Sequence, residues 1–409
     1  MSTVVHPGDA LSVRERATYV IVLGALTALG PFTIDMYLPA FPQIAADLNA
    51  QEAQIQLTLS ATIIGFALGQ LLVGPWSDKV GRRTPLIVAT SVHVVASLGI
   101  ALSPDLTWVM IFRVLQGAGA AGGGVVAMAT VRDLFGGYPL VRMLSRLALV
   151  VGLAPVLAPV IGSQLLVVTD WRGLFVVLAG YALAMIIAAF FLIVETLPAE
   201  RRHGAEGATT LDRYKHILGD RVFVGVAIVA GMVFSGLFAY LSSSSFLFQE
   251  IYGLDAQQYG MLFAINSVGV LIGTQTSARL QKFIGPQWIL AATTATQLVA
   301  SLAIVALDQA GAPLGAILVP LFFFIMSCGF SFPATQVLAL VNHGREAGTA
   351  ASLLGAMNFG LAGLVSPIVG FFGITSAVPM GGVMAVAAAV AIAALWFIVQ
   401  PKTVPPLAK

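Results

Sequence analysis

Long apolar runs recur along the chain, separated by short polar segments. Twelve such stretches fall at about 18–43, 54–76, 85–103, 107–132, 140–168, 172–194, 221–249, 256–279, 287–307, 313–341, 347–373 and 377–399. Each approaches the ~20 residues that an α-helix needs to cross a ~30 Å hydrocarbon core. They are too long for barrel strands, and helices satisfy their own backbone hydrogen bonds in lipid. The pattern predicts an all-α membrane protein with twelve transmembrane helices. The longest connection, "ETLPAERRHGAEGATTLDRYKHILGD", is charged and divides the chain. The expected organisation is an N-terminal six-helix half (1–194), a cytoplasmic linker (195–220) and a C-terminal six-helix half (221–409).

The halves echo each other. Gly65 and Gly69 in helix 2 correspond to Gly269 and Gly273 in helix 8 at an offset of 204. "APVIG" (158–162) in helix 5 corresponds to "SPIVG" (366–370) in helix 11 at an offset of 208. Matches at nearly one offset point to two related, pseudo-symmetric halves, as in transporters built from parallel repeats with the substrate path between them.

Composition agrees: 58% of the residues are hydrophobic and 9% charged, against about 25% charged in soluble domains. The first stretch continues past any signal-peptide length and reads as an uncleaved helix. One cysteine, Cys328, excludes an internal disulfide and a cysteine metal pair. No phosphate-binding GxxxxGK[ST] loop is present, which argues against ATP-driven transport. With the N-terminus inside, 18 of the 20 Lys and Arg residues lie in cytoplasmic segments or at cytoplasmic helix ends. Only Arg172 falls in an outer loop, and Arg113 falls inside a helix. The positive-inside rule therefore predicts both termini in the cytoplasm.

Two full charges remain at membrane depth, Asp35 and Arg113. Each costs roughly 2.5–3.5 kcal/mol at a helix centre on insertion scales. Counted along their helices at 1.5 Å per residue, both lie about 9–12 Å below the outer surface. Arg113 is thus expected to compensate Asp35, or to share a water-filled cavity with it. A carboxylate so placed can load a proton on one side and release it on the other, because desolvation and a nearby Arg act on it in opposite senses. A fixed ion pair locking helices 1 and 4 is the structural alternative. His93 in helix 3 is a second titratable candidate. The second half offers neutral polar groups, Ser242–Ser245, Asn266, Gln275 and Asn358, beside Phe234, Phe238 and Tyr240. Asp35, Arg113, Phe238, Asn266 and Asn358 are the expected substrate-cavity residues, a mixture suited to an amphipathic organic ligand. "GAGAAGGG" (117–124) and Gly65-xxx-Gly69 permit close helix approach; Pro155 and Pro159 bend helix 5.

The loop "GPWSDKVGRRTPL" (74–86) closely resembles the motif between helices 2 and 3 of the major facilitator superfamily. "RVLQGAGAA" (113–121) resembles that superfamily's helix 4 motif, and "LAPVLAPVIG" (153–162) its antiporter motif, with Ala158 and Ser163 as departures. "DMYLPAFP" (35–42) and "ATVRDLF" (129–135) are similar to the drug-resistance branch named for bicyclomycin and chloramphenicol, the Bcr/CflA family. The second-half copy of the loop motif is degraded at Pro286 and Gln287. The resemblance implies the major facilitator fold and proton-driven export by alternating access. It implies Asp35 and Arg113 for proton coupling, and Gly74, Asp78, Gly81, Arg82, Arg83 and Asp133 as a cytoplasmic gate. Asp78 would meet the start of helix 11 at "GTAAS" (348–352), and Arg82 would bridge Asp78 to Asp133. Pro155, Pro159 and Gly162 would form the antiporter motif.

The expectation is a proton-coupled multidrug or antibiotic exporter in a bacterial cytoplasmic membrane. A proton-coupled transporter of a sugar, nucleobase or amino acid is the alternative on the same fold. An enzyme would need clustered titratable groups and a channel a ring of charges; neither pattern occurs. No metal or organic cofactor is expected, the proton being the coupling ion. The expected partners are a small amphipathic organic substrate and the lipid bilayer, with no nucleic acid, and the chain acts as a monomer.

Overall fold

The structure, a computed structural model, describes residues 7–198, 210–343 and 347–404. Twelve long helices follow in order: α1 Val13–Asp35, α2 Glu52–Val80, α3 Arg83–Ala101, α4 Leu106–Leu134, α5 Gly137–Leu165 and α6 Trp171–Leu192 in the first half. The second half holds α7 Arg221–Phe246, α8 Ala256–Leu280, α9 Pro286–Gln309, α10 Leu314–Leu340, α11 Ala347–Val365 and α12 Val378–Ala393. Among the described residues, eleven spans are long and apolar enough to cross a membrane. The twelfth, α5, is 29 residues long, with Arg142 and Arg146 in its first half and no charged residue from Leu147 to Leu165. Of the expected linker 195–220, residues 199–209 lie outside the described residues; a short helix, Thr210–Leu218, precedes α7. Arg201, Arg202, Arg345 and Lys409 of the basic set also lie outside.

Helix 1 is not the continuous 18–43 element expected. It ends at Asp35, and the chain continues through a tight turn over Leu38–Ala40 into a short helix, Phe41–Asp47. Pro39 and Pro42 lack the N–H groups that would have bonded the carbonyls of Asp35 and Leu38. Helix 11 likewise stops at Val365, before Pro367, rather than running to 373.

The small residues do the same job twice. A Cβ on Gly65 would strike the Val114 carbonyl and one on Gly69 the Ala118 carbonyl, so α2 lies directly on α4. Gly273 meets the Met326 carbonyl in the same way, so α8 lies directly on α10. Gly117 and Gly329 are the reciprocal contacts, against Thr62 and Val270. Backbones come this close only where side chains are absent.

The halves join along two seams. In the α5–α8 seam, Pro159 cannot bond the Pro155 carbonyl, and the Ser267 hydroxyl of α8 donates to it at 3.3 Å. Gln257 Nε2 donates to the Ser163 carbonyl at 3.1 Å. In the α2–α11 seam, the Ser352 hydroxyl donates to the Gln70 carbonyl at 2.9 Å, and Gly370 packs on Ala53 and Gln56. At the face away from the chain termini, the broken end of α1 meets α7. Ser245 Oγ donates to the Leu38 carbonyl at 2.6 Å, which Pro42 cannot reach with an N–H and which also accepts from the Phe41 N–H, and Gln249 Nε2 donates to the Pro39 carbonyl at 3.2 Å.

Candidate transport site and gate

Asp35 closes α1 and is 5% exposed. Among the described residues it has no ion-pair partner and accepts no hydrogen bond. Its carboxylate lies close enough to the hydroxyls of Tyr240 in α7 and Tyr259 in α8 for their charges to interact. Tyr240 accepts a hydrogen bond from Asn266 Nδ2 at 3.1 Å, and Tyr259 is bonded to Ser244 at 2.9 Å. Gly162 of α5 lies against the Met36 carbonyl, where a side chain would not fit. The antiporter segment thus packs beside the residue that follows Asp35.

Arg113 does not compensate Asp35, contrary to the expectation from depth. Depth along a helix says nothing about azimuth. Thr33 and Tyr37 are four residues apart on one side of the chain, whereas Asp35 lies about 200° from Thr33 around a helix of 3.6 residues per turn. Arg113 meets the Thr33 and Tyr37 side. Its Nη1 donates to the Thr33 carbonyl at 3.1 Å and to Gln116 Oε1 at 2.6 Å. Its guanidinium stacks over the Tyr37 ring at 3.9 Å and lies 5.6 Å from the Phe175 ring. The Thr33 carbonyl is free to accept because α1 ends two residues later, leaving terminal carbonyls without helical partners. Aromatic faces attract a desolvated guanidinium by about 2 kcal/mol or more, which offsets part of the cost of burying Arg113. Its Nε and Nη2 have no hydrogen-bond partner.

The expected cavity residues separate into two groups. Asp35 and Asn266 gather around Tyr240. Phe238 belongs instead to an aromatic cluster that joins the halves: Phe234 stacks on it at 6.3 Å, and Phe359 lies 6.2 Å from it. Phe66 of α2 lies 5.2 Å from Phe359, and Phe332 of α10 lies 5.0 Å from Phe234. Asn358, the residue before Phe359, is buried with its Oδ1 unpartnered.

At the end of the bundle where the chain starts, Arg82 brings the predicted gate residues together. Its Nε donates to Asp133 Oδ2 at 2.7 Å and its Nη2 to Oδ1 at 3.4 Å; Nη1 reaches Asp78 and, at 2.9 Å, Ser77 Oγ. Burial works against the Arg82 charge, but its bonds to Asp133 and Asp78 outweigh burial and hold its pKa above the ordinary value. Gly81 has φ +109°, a conformation that glycine tolerates and side chains resist, and it turns the chain between α2 and α3. Gly74 makes an ordinary contact with Val125. Arg83 stacks on Phe190 at 4.8 Å and donates to its carbonyl, tying α3 to α6. The expected contact of Asp78 with the "GTAAS" segment is not made among the described residues; its side chain is 66% exposed and pairs only with Arg82.

Sequence reading missed Glu195. Its carboxylate accepts from the backbone N–H groups of Arg82 at 2.8 Å and Arg83 at 3.2 Å, capping α3 where the helix dipole favours an anion. Thr196 adds a bond to Asp133 at 3.2 Å. "VETLP" directly after an apolar run was the available signal. Tyr259 was passed over for a different reason: nothing in its spacing marks it as a neighbour of Asp35; Gln116, three residues from Arg113 on the same helix, was legible by spacing but not singled out.

Twelve long helices in paired halves, with Asp35 and Arg113 buried inside the bundle, make a multi-pass membrane protein. The family model described as Major Facilitator Superfamily matches residues 23–367, and the chain belongs to that superfamily. An uncharacterized MFS-type transporter, YdgK, of Bacillus subtilis is 37% identical over 92% of this chain and 94% of its own length. A bicyclomycin resistance protein homolog of Haemophilus influenzae is 27% identical, covering 94% and 97%. Multidrug resistance protein MdtL of Vibrio parahaemolyticus is 29% identical, covering 92% and 94%. Two of these three relatives carry drug-resistance names. In fold it matches the xylose transporter XylE of E. coli with a TM-score of 0.74 at 15% identity, over 97% of this chain and 99% of that one.

Proposed function

We propose that this protein is a proton-coupled exporter of small amphipathic organic compounds, antibiotics among them, working as an antiporter by alternating access. The observation that carries the reading is Asp35: a buried carboxylate at membrane depth with no counter-charge among the described residues, set against tyrosines of the opposite half. An unpaired buried carboxylate is costly, and intramembrane acids characteristically mark proton and substrate paths. A proton or a cationic group on the substrate relieves that cost, and competition between the two is antiport. The aromatic cluster between the halves supplies apolar faces for an amphipathic ligand. Relatives named for bicyclomycin and multidrug resistance support the substrate class.

The basic end of the bundle, with the Arg82 cluster, faces the cytoplasm of a bacterial inner membrane. The contacts of Leu38 and Pro39 with Ser245 and Gln249 close the opposite, outer face. Proton is the coupling ion, no other cofactor takes part, and the protein acts as a monomer in the bilayer without nucleic acid. Adding bicyclomycin, ethidium and a set of sugars, nucleobases and amino acids to weakly buffered, detergent-purified protein tests this. Proton release on adding the drugs, and not the metabolites, is the expected result. Release only on adding a metabolite would replace the exporter with a nutrient transporter.

A further inference from the structure

Arg113 is the terminus of two hydrogen-bonded arms, and both lead to His93. In the first, Arg113 Nη1 donates to the Thr33 carbonyl, and the Thr33 hydroxyl contacts His93 Nε2 at 2.8 Å. In the second, Nη1 donates to Gln116 Oε1, Gln116 Nε2 donates to Ser97 Oγ at 2.8 Å, and Ser97 Oγ donates to the His93 carbonyl at 2.7 Å. The ring links α1, α3 and α4. Gly119 lets α4 lie against the backbone of His93, where a side chain would collide. His93, Thr33, Ser97, Gln116 and Arg113 are each 0% exposed.

Donor counting settles the imidazole. The single Thr33 hydroxyl proton goes to the Leu29 carbonyl at 2.6 Å, so Thr33 Oγ1 accepts from His93 and the imidazole proton sits on Nε2. The Ser97 proton is likewise committed to the His93 carbonyl, leaving only a long 3.4 Å contact at Nδ1. A second imidazole proton would place another positive charge in a ring whose one charged member is already Arg113; Asp35 and Tyr37 are the other titratable groups at this site, and neither bonds to the imidazole. His93 therefore serves as a donor with a fixed tautomer.

Position matters because of what the ring leaves unused. Both Nη1 protons of Arg113 are committed, and Nε and Nη2 make no hydrogen bond among the described residues, with the ionisable Tyr37 hydroxyl close to the guanidinium. That is the same edge by which Arg82 grips both oxygens of Asp133, and planar side-on pairing of this kind demands a set orientation. We propose that His93 is a positioning residue: through Thr33 it holds the Arg113 guanidinium with its Nε–Nη2 edge presented to a carboxylate or another planar two-oxygen acceptor at the transport site. This rests on the proton-coupled reading above.

The test uses the purified full chain with His93→Gln, which keeps a side-chain N–H donor, His93→Leu, which has none, and Thr33→Val, which removes the acceptor. Imidazole 15N NMR of the parent, with His93 assigned by its loss in His93→Gln, should show the proton on Nε2. The pH profile of bicyclomycin- or ethidium-driven proton release should shift by about one unit or more in His93→Leu and Thr33→Val, shift no further in the double variant, and stay near the parent's in His93→Gln. Loss of proton release in a folded His93→Gln would make His93 a proton carrier and overturn the proposal, as would a His93→Leu profile overlying the parent's or a proton found on Nδ1. Absence of proton release from the parent itself would instead remove the exporter reading, while the NMR tautomer would still judge the ring.

Discussion

The Arg113 guanidinium stacks on Tyr37 at 3.9 Å and bonds the Thr33 carbonyl, while Asp35, between those two residues in sequence, faces the other half of the protein. The two intramembrane charges are therefore not a static salt bridge. Their surroundings differ: Arg113 lies on aromatic faces and donates to carbonyl oxygens, whereas Asp35 sits near Tyr240 and Tyr259 with no hydrogen bond among the described residues.

Asp35→Asn should fold and insert with no loss of thermal stability at neutral pH, because no ion pair or hydrogen bond is broken. Active efflux from energised vesicles should fall at least tenfold, since the amide cannot carry a proton. Retained concentration of ethidium against a gradient would move the coupling site elsewhere. Substitution of Arg113 should behave differently. Arg113→Ala should lower the melting temperature as well as activity, because two hydrogen bonds to a charged donor, at about 1.5–3 kcal/mol each, are lost. Arg113→Lys should recover part of each, lacking the planar stack.

The Arg82 cluster predicts an unequal pair. Asp133 holds two bonds to Arg82 and its side chain is 19% exposed, whereas Asp78 is 66% exposed. Asp133→Asn should cost about 3 kcal/mol by leaving a buried guanidinium short of its counter-ion. Asp78→Asn should cost under about 1 kcal/mol, as an exposed pair does. Denaturant unfolding of the three proteins in one detergent decides it; equal losses would contradict the asymmetry.

Glycine substitutions at matched positions should have matched effects. Gly65→Val and Gly273→Val should each push a helix off the carbonyl it rests on and sharply reduce folded yield. Gly124→Ala, whose Cβ would find only Thr27 at 4.0 Å, should be tolerated. Size-exclusion profiles of the three variants compare them directly.

Acid should loosen the join between α7 and α10. Burial alone would raise the pKa of Asp220, but the Asn342 amide at 3.1 Å and the Val222 N–H at 2.8 Å, with His343 at 3.1 Å beside them, outweigh burial and hold it below the ordinary value. A carboxylate lowered in the folded state stabilises above its unfolded pKa of about 3.9 and loses that contribution as pH falls through the folded value. Asp220→Asn, still a good helix cap, should flatten the stability loss below about pH 4 seen in a thermal-melt series. An unchanged slope would show that Asp220 does not set it.

The amino-acid sequence by itself determined the number and class of elements, because a hydrocarbon core accepts only long, internally bonded apolar helices, and the paired glycines exposed the twofold plan. It also supplied most of the Arg82 cluster, since "SDKVGRR" concentrates side chains that pair over short range with one another and with Asp133. The proline pair at 39 and 42 was legible too, although a hydropathy reading ran helix 1 straight through it. What only the tertiary structure decided was azimuth and partnership: that Asp35 turns toward Tyr240 and Tyr259, that Arg113 turns toward Thr33 and Tyr37, and that Glu195, more than a hundred residues downstream, caps α3. Depth can be counted along one helix at a fixed rise per residue. Which side chains meet depends on how each helix is rotated against its neighbours, and that is settled by the packing of all twelve at once.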